Sequence, residues 1–243
     1  MEKQPTKSIV VLQLYPKDMN IYGDNGNLQV ITKRLEWYGY TPQVIEYNPG
    51  DTLPKKVDLV IGGGGQDSGQ DKIHADLIKI GPQLQQWADA GTPMLMVCGL
   101  YQLFGHFFKT LSGKQLDGIG ILDIKTYGTT ERLIGNITTH SEEFGDIIGY
   151  ENHSGQTHLG SNVEPLATVV KGAGNNASNG NEGARHKNVI GTYLHGSILP
   201  KNPALADFLI RTAVERKFGE FSPDLVDDLF ADMAREIARN RPR

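Results

Sequence analysis

One device recurs along the chain: a short β-forming run ends abruptly in a residue with chemistry or conformational freedom. Val57-Asp58-Leu59-Val60-Ile61 runs into Gly62-Gly63-Gly64-Gly65, Pro93-Met94-Leu95-Met96-Val97 into Cys98-Gly99, and Val189-Ile190-Gly191-Thr192-Tyr193-Leu194 into His195-Gly196. Apolar runs of this length, bounded by turn residues, read as strands buried on both faces. Helical spacings lie between them. Leu28, Ile31, Leu35 and Tyr38 recur at that period across 27–38, and Ile73, Leu77, Ile80, Leu84 and Trp87 across 71–90, where Gly81-Pro82 predicts a break into two helices. With Ser8 to Tyr15 and Thr41 to Tyr47 as further strands, the alternation calls for a largely parallel sheet with helices on both faces. Ligands in such sheets bind beyond the carboxyl ends of the strands, where the glycine loop and Cys98 both fall.

After Gly105 the pattern changes. Residues 118–127, 132–140, 147–153 and 164–171 read as successive strands, and no long helical spacing returns until Pro203, after which helices are expected over 204–217 and 224–239. The second half is thus a β-rich flank on the same core. The segment 172–183 is polar and glycine-rich and reads as a mobile, solvated loop, as does the tail 239–243. At 243 residues and 38% hydrophobic content, one domain spanning 1–243 is expected. A net charge of −4 with dispersed basic residues offers no electrostatic footprint for nucleic acid or an anionic membrane. A single cysteine excludes an internal disulfide, and seven scattered histidines offer no metal-ligand spacing, so no metal is expected. The N-terminus leads only into a short apolar strand, so neither a signal peptide nor a membrane insertion is expected and a cytoplasmic location follows.

Cys98 is the candidate nucleophile. A side chain on a sharp strand-to-helix turn stands exposed at the top of a sheet, and Gly99 after it lets substrate and backbone approach. The N-terminal dipole of the helix expected to follow would favour thiolate. A cysteine nucleophile needs a base, and His195 fits best, since it too ends an apolar strand beside a glycine; His74, His106, His140 and His186 lie in polar contexts. Three uses of Gly62 to Gly65 are open. The run could cradle phosphate, but no Lys-Ser or Lys-Thr follows; it could be a plain turn; or, with Gly64, Gly65 and Gly99, it could aim backbone N–H groups at the oxygen of a tetrahedral intermediate.

Glycine strand, nucleophile elbow and late histidine occur here in the order found in class I glutamine amidotransferases, which these residues together resemble. Within that class, Gly149-Tyr150-Glu151-Asn152-His153-Ser154-Gly155 resembles the cobyric acid synthase-like branch. Asn20-Ile21-Tyr22-Gly23-Asp24-Asn25-Gly26-Asn27, Cys98-Gly99-Leu100-Tyr101-Gln102, the segment 116–123 and the segment 191–203 are similar to the GatD family, the glutaminase subunits of lipid II isoglutaminyl synthase. The resemblance implies a flavodoxin-like three-layer α/β sandwich with a mostly parallel sheet. It also implies that Cys98 and His195 hydrolyse L-glutamine to glutamate and ammonia. Arg132 matches the family's glutamine-binding arginine, and a guanidinium grips an α-carboxylate bidentately; Gln102, Asn152 and His153 extend the implied binding set. The implied partner is a MurT-type Mur ligase subunit in a heterodimer, which takes the ammonia, carries the ATP and Mg²⁺, and amidates D-glutamate of lipid II; this chain carries no cofactor. The alternatives are a glutaminase subunit of a cobyrinate-type synthetase, a γ-glutamyl hydrolase, or a non-catalytic glutamine-sensing module. One position departs from the class: Ser197 stands where a Glu usually follows the histidine. The expectation is that the partner supplies the missing acid across the interface.

Overall fold

The computed structural model describes residues 7–195 and 197–242; Gly196 and the first six residues of the N-terminal segment lie outside them. The first half follows the predicted alternation: β1 (Ser8–Leu14), α1 (Asn25–Trp37), β2 (Thr41–Tyr47), β3 (Leu59–Gly62), α2 (Asp67–Asp89), β4 (Met94–Val97) and α3 (Gly99–Leu103). The second half continues with β5 (Phe107–Lys109), β6 (Gln115–Asp117), β7 (Ile124–Ser141), β8 (Gly145–Leu159), β9 (Ala167–Lys171), β10 (Asn181–Glu182), β11 (Ala184–His186) and β12 (Val189–Thr192). A 3₁₀ turn at Leu199–Lys201, α4 (Pro203–Phe218) and α5 (Leu229–Arg239) complete it.

Two six-stranded sheets result. The first has the order β11-β12-β4-β3-β1-β2 and is parallel throughout except for the edge strand β11. Every residue of β3, β4 and β12 is buried, as expected of strands covered on both faces. The second sheet runs β10-β9-β7-β5-β6, with β8 also paired to β7, and is mainly antiparallel. It is the β-rich flank that the sequence predicts, although the stretches expected at 118–127 and 132–140 merge into the single strand β7, whose pairing with β8 shifts register between Gly128 and Leu133.

Three other expectations are corrected. Gly81-Pro82 does not split α2. Pro82 falls on the solvent face, where the unbonded carbonyl one turn earlier is left to water, while Ile73, Leu77, Ile80, Leu84 and Trp87 pack both halves against one core. The last helix begins at Leu229, not at 224, and the tail after it is engaged, with the Arg241 and Pro242 carbonyls accepting from Lys171 and Asn136.

The third is the glycine-rich segment 172–183, which is a latch and not a solvated loop. Asn175, Asn176 and Glu182 in it are buried. The N–H groups of Ala173 and Gly174 donate to the buried Glu151 carboxylate, Asn176 donates to the Thr157 carbonyl, and Asn175 holds Gly183 from both sides while accepting from Tyr101 Oη. Composition reads such a segment as loop; the buried amides give it partners in α3, in β8 and at Gly183. Replacing Asn175 by Ala leaves the Gly183 N–H and C=O and the Tyr101 hydroxyl without it, and is expected to cost about 2–4 kcal/mol of stability in denaturant unfolding.

Candidate active site

Three neighbouring strands of the first sheet set the site. In register, Gly62 stands beside Met96, and Thr192 beside Val97, so β3, β4 and β12 end together. Cys98 is the next residue past the middle strand, and its N–H donates to the Thr192 carbonyl at 2.8 Å. Its backbone is at φ 50°, ψ −103°, left-handed territory that costs a non-glycine residue roughly 1–3 kcal/mol. That is the elbow expected from the sequence. The helix after it, α3, is only five residues long, so its dipole is weaker support for a thiolate than the sequence suggests.

The glycine run supplies room. An added Cβ on Gly64 would lie 2.9 Å from Cys98 Cβ and 3.0 Å from His195 Cε1, and one on Gly99 would lie 2.8 Å from Met19 Cε and 3.1 Å from the Gly65 nitrogen. Gly64 is pinned on both sides: its N–H donates to Asp24 Oδ2 at 2.8 Å and its carbonyl accepts from Ile21 N–H at 3.1 Å. The Gly64 N–H is therefore engaged and is not free to serve an oxyanion. Because a trans peptide aims its C=O and N–H in opposite directions, the Ile21 contact turns the Gly65 N–H away from the loop before α1, towards the Cys98–Gly99 side. Gly65 and Gly99 are thus the pair of glycines whose N–H groups remain to meet a developing oxyanion.

His195 is fully buried, anchored by its N–H to the Tyr150 carbonyl of β8 at 2.7 Å, with the Tyr22 ring edge-on at 4.4 Å between centroids. Its Nδ1 faces Asp24 Oδ1 at 3.8 Å, and neither ring nitrogen closes a hydrogen bond. Burial alone would push the imidazole down, but Cys98 and Asp24 override it and raise it to about 10, so the ring carries its proton at neutral pH. The neighbouring His153 goes the other way. Burial takes it down to about 4, and the neutral ring stacks on Tyr193 at 3.6 Å with Nδ1 against the Gly155 carbonyl.

A cavity of about 360 Å³ opens beside the sulfur. Cys98, Gly65, Gln102, Arg132, Asn152 and His153 line it together, although they come from α3, β7, β8 and the turns that follow β3 and β4; Gly64, Gly99 and His195 are not among its lining residues. Arg132 is exposed at the rim, donating to Asn152 Oδ1 at 2.7 Å and Tyr22 Oη at 3.1 Å, which leaves donors of its fork for a ligand. Gln102 is otherwise engaged: its amide donates to Tyr193 Oη and accepts from Gln70, so it shapes the cavity more than it presents a free group. His106, His140 and His158 are exposed and lie outside the cavity.

Three contributors are missing from the sequence reading: Asp24, Tyr22 and Glu182. The first two sit in the loop before α1, inside the 20–27 stretch that the sequence reading likens to the GatD family without a role for either residue. Glu182 Oε1 accepts from Thr192 Oγ1 at 2.9 Å and the Tyr193 N–H at 2.7 Å, fixing the approach to His195. Burial raises its carboxyl to about 8, against the pull of those two bonds. The folded value lies above the unfolded one, so the stability that the neutral carboxyl contributes is full below about pH 4.5 and is lost as pH rises through 8. Thermal melts from pH 5 to 9 are expected to fall more steeply for the wild type than for Glu182→Gln, which keeps the shape without the charge.

Among the described residues no cluster of His, Cys, Asp and Glu could hold a metal, and no helix is long and apolar enough to cross a membrane. Comparison with known proteins agrees with the geometry. Residues 9–203 match the CobB/CobQ-like glutamine amidotransferase domain. The chain is 37% identical over 224 residues to the lipid II isoglutaminyl synthase (glutamine-hydrolyzing) subunit GatD of Staphylococcus aureus strain N315, covering 92% of this chain and 91% of that one. The same-named subunit of Streptococcus pneumoniae strain ATCC BAA-255/R6 is 36% identical over 214 residues, covering 86% and 82%. A solved structure titled as a glutamine amidotransferase superposes with a TM-score of 0.58 at 16% identity over 83% of this chain and 98% of that one, a likeness of fold. The chain belongs to the CobB/CobQ-like glutamine amidotransferase family.

Proposed function

We propose that this chain is the glutamine-hydrolysing subunit of a lipid II isoglutaminyl synthase. The observation that carries the reading is the meeting of Cys98, on a strained elbow, with a protonated His195 beside an arginine-rimmed cavity. It is supported by likeness to the GatD subunits over most of both chains. Glutamine enters with its α-carboxylate at Arg132 and its side-chain amide at the sulfur. Cys98 Sγ bonds to the amide carbon, and the oxygen's developing charge meets the Gly65 and Gly99 N–H groups. The carbon–nitrogen bond breaks as His195 donates its proton, and ammonia leaves. Water, deprotonated by the now neutral ring, attacks the thioester and releases glutamate. Asn152 and His153 complete the binding wall.

The ammonia is consumed by a MurT-type ligase subunit, with which the chain forms a heterodimer. ATP and Mg²⁺ belong to that partner, which amidates D-glutamate of the lipid II stem peptide in the cytoplasm. The whole of 1–243 serves as one glutaminase domain with no cofactor of its own.

Ammonia and glutamate release from L-glutamine, measured on the purified chain alone and with the ligase subunit, tests the reading. Cys98→Ala is expected to abolish release in both settings, while wild-type release is coupled to amidation of lipid II when the ligase is present. Absence of any Cys98-dependent release would leave a glutamine-sensing module in its place. Amidation of a cobyrinate and not of lipid II would move the chain to the cobyric acid side of its family. Arg132→Ala removes a contact made equally to bound glutamine and to the transition state. It should raise KM for glutamine about tenfold or more, with kcat little changed in steady-state assays.

A further inference from the structure

We infer that Gln70 is a positioning residue for the glutaminase site: bound to the Gly99 carbonyl, it fixes the sense of the Gln102 side-chain amide, so that the wall beside the sulfur offers an N–H edge and not an oxygen. The inference rests on the glutaminase reading and deepens it, since Gln70 acts through Gln102 and not on the reacting atoms.

Gln70 lies in the first turn of α2, in the same crossover that carries the glycine turn, and is only 1% exposed although its side chain is polar. Its Nε2 donates twice, to the Gly99 carbonyl at 3.1 Å and to Gln102 Oε1 at 2.8 Å. Gln102 Nε2 donates in turn to Tyr193 Oη at 3.0 Å; that hydroxyl meets Thr157 Oγ1 at 2.7 Å, and Thr157 Oγ1 meets Thr126 Oγ1 at 2.8 Å. Gln70, Gln102, Tyr193, Thr157 and Thr126 are all buried. A buried donor or acceptor left unpaired costs about 1–3 kcal/mol, so the members hold one another in place.

A single group gives this chain its direction. The hydroxyls of Tyr193, Thr157 and Thr126 can rotate, and a side-chain amide can turn over with almost no change of shape. A backbone carbonyl can only accept. The Gly99 carbonyl therefore requires Gln70 to present nitrogen, Gln70 then requires oxygen from Gln102, and Gln102 is left to present nitrogen to Tyr193. Burial holds the proton on Tyr193, with the charge of Cys98 adding to it against the Thr157 and Gln102 bonds, so the hydroxyl stays able to accept on one side and donate on the other. Gln102 Nε2 also lies against Gly155, a lining residue of the cavity, where an added Cβ would come within 2.5 Å of it. The nitrogen edge thus faces that part of the wall, with one N–H given to Tyr193 and one remaining. Turned over, Gln102 would set its oxygen there, in a cavity where the thiolate and the oxygen of the substrate amide both gather negative charge. The segment from Gly62 to Gln70 accordingly serves the site at both ends, with the Gly65 N–H near its start and the Gln70 amide at its close.

The test is glutamine hydrolysis by the full chain, alone and with the ligase subunit, carrying Gln70→Met or Gln70→Glu. Rates are taken at pH 9, where an introduced carboxyl is ionised, and expressed per folded chain from melts of the same samples. Met keeps the length of Gln without its polarity, so Gln102 can adopt either sense and kcat/KM should fall about two- to fivefold. Glu is closer in shape but offers only acceptors, so it draws the Gln102 nitrogen towards itself, and kcat/KM should fall about 10²-fold or more. A residue that merely fills space would rank Glu at or above Met, and that order would overturn the inference, as would wild-type kcat/KM in both variants. A second measurement needs no variant: NMR of the ¹⁵N-glutamine-labelled wild-type chain should show the Gln102 side-chain N–H₂ in contact with the Tyr193 ring protons, and absence of that contact would equally overturn it. If the wild type shows no Cys98-dependent ammonia release, the glutaminase reading fails, while the NMR pattern still decides the sense of Gln102.

Discussion

The site exists because β4 lies between β3 and β12 in one parallel sheet with their carboxyl ends in step. Parallel pairing points all three strands the same way, so a glycine turn, a cysteine and a histidine far apart in the chain arrive at one edge. The hydrogen bond from Cys98 N–H to the Thr192 carbonyl extends that pairing past the last regular residue, and so holds the elbow. The strain at Cys98 persists because fully buried strands on either side leave it no other path.

The second sheet does a different job. Its long strand pair β7–β8 forms the back and rim of the cavity: Arg132 comes from β7, while Asn152, His153 and the Tyr150 carbonyl that anchors His195 come from β8. Behind them lies a buried polar layer of Glu151, Glu182, Thr157, Tyr193 and the amides of Asn175 and Asn176. Each is tied to backbone or to another member, as a polar group in a low-dielectric interior must be. That layer explains how a segment with the composition of a free loop is held at the core. It also goes with opposite outcomes for two buried histidines: His195, beside Cys98 and Asp24, holds its proton, whereas burial keeps His153, stacked on Tyr193, neutral.

Much of this was legible beforehand. The alternation of apolar runs and helical spacings sufficed for the parallel sheet, and Cys98 and His195, singled out as residues that end strands, do lie at strand ends that stand in step. The reading failed where tertiary packing overrides local preference. Pro82 stays inside α2 because its neighbours bury a common face, and the strands expected on either side of 128–131 are one because β8 pairs along both. Ser197 led to the expectation of an acid from the partner, and nothing in the sequence signalled that Asp24, more than 170 positions earlier in a loop with no periodic signal, faces the histidine.

By itself, then, the sequence determined the fold class and which residues end the strands, since strand burial, helical period and strand-end position are local patterns written in consecutive residues. Only the tertiary structure decided which N–H groups remain free near the sulfur, which carboxylate faces His195, and which histidine is charged. Those depend on the direction of single peptide planes and on distances of a few ångströms between segments that the chain keeps far apart, and no local pattern encodes either.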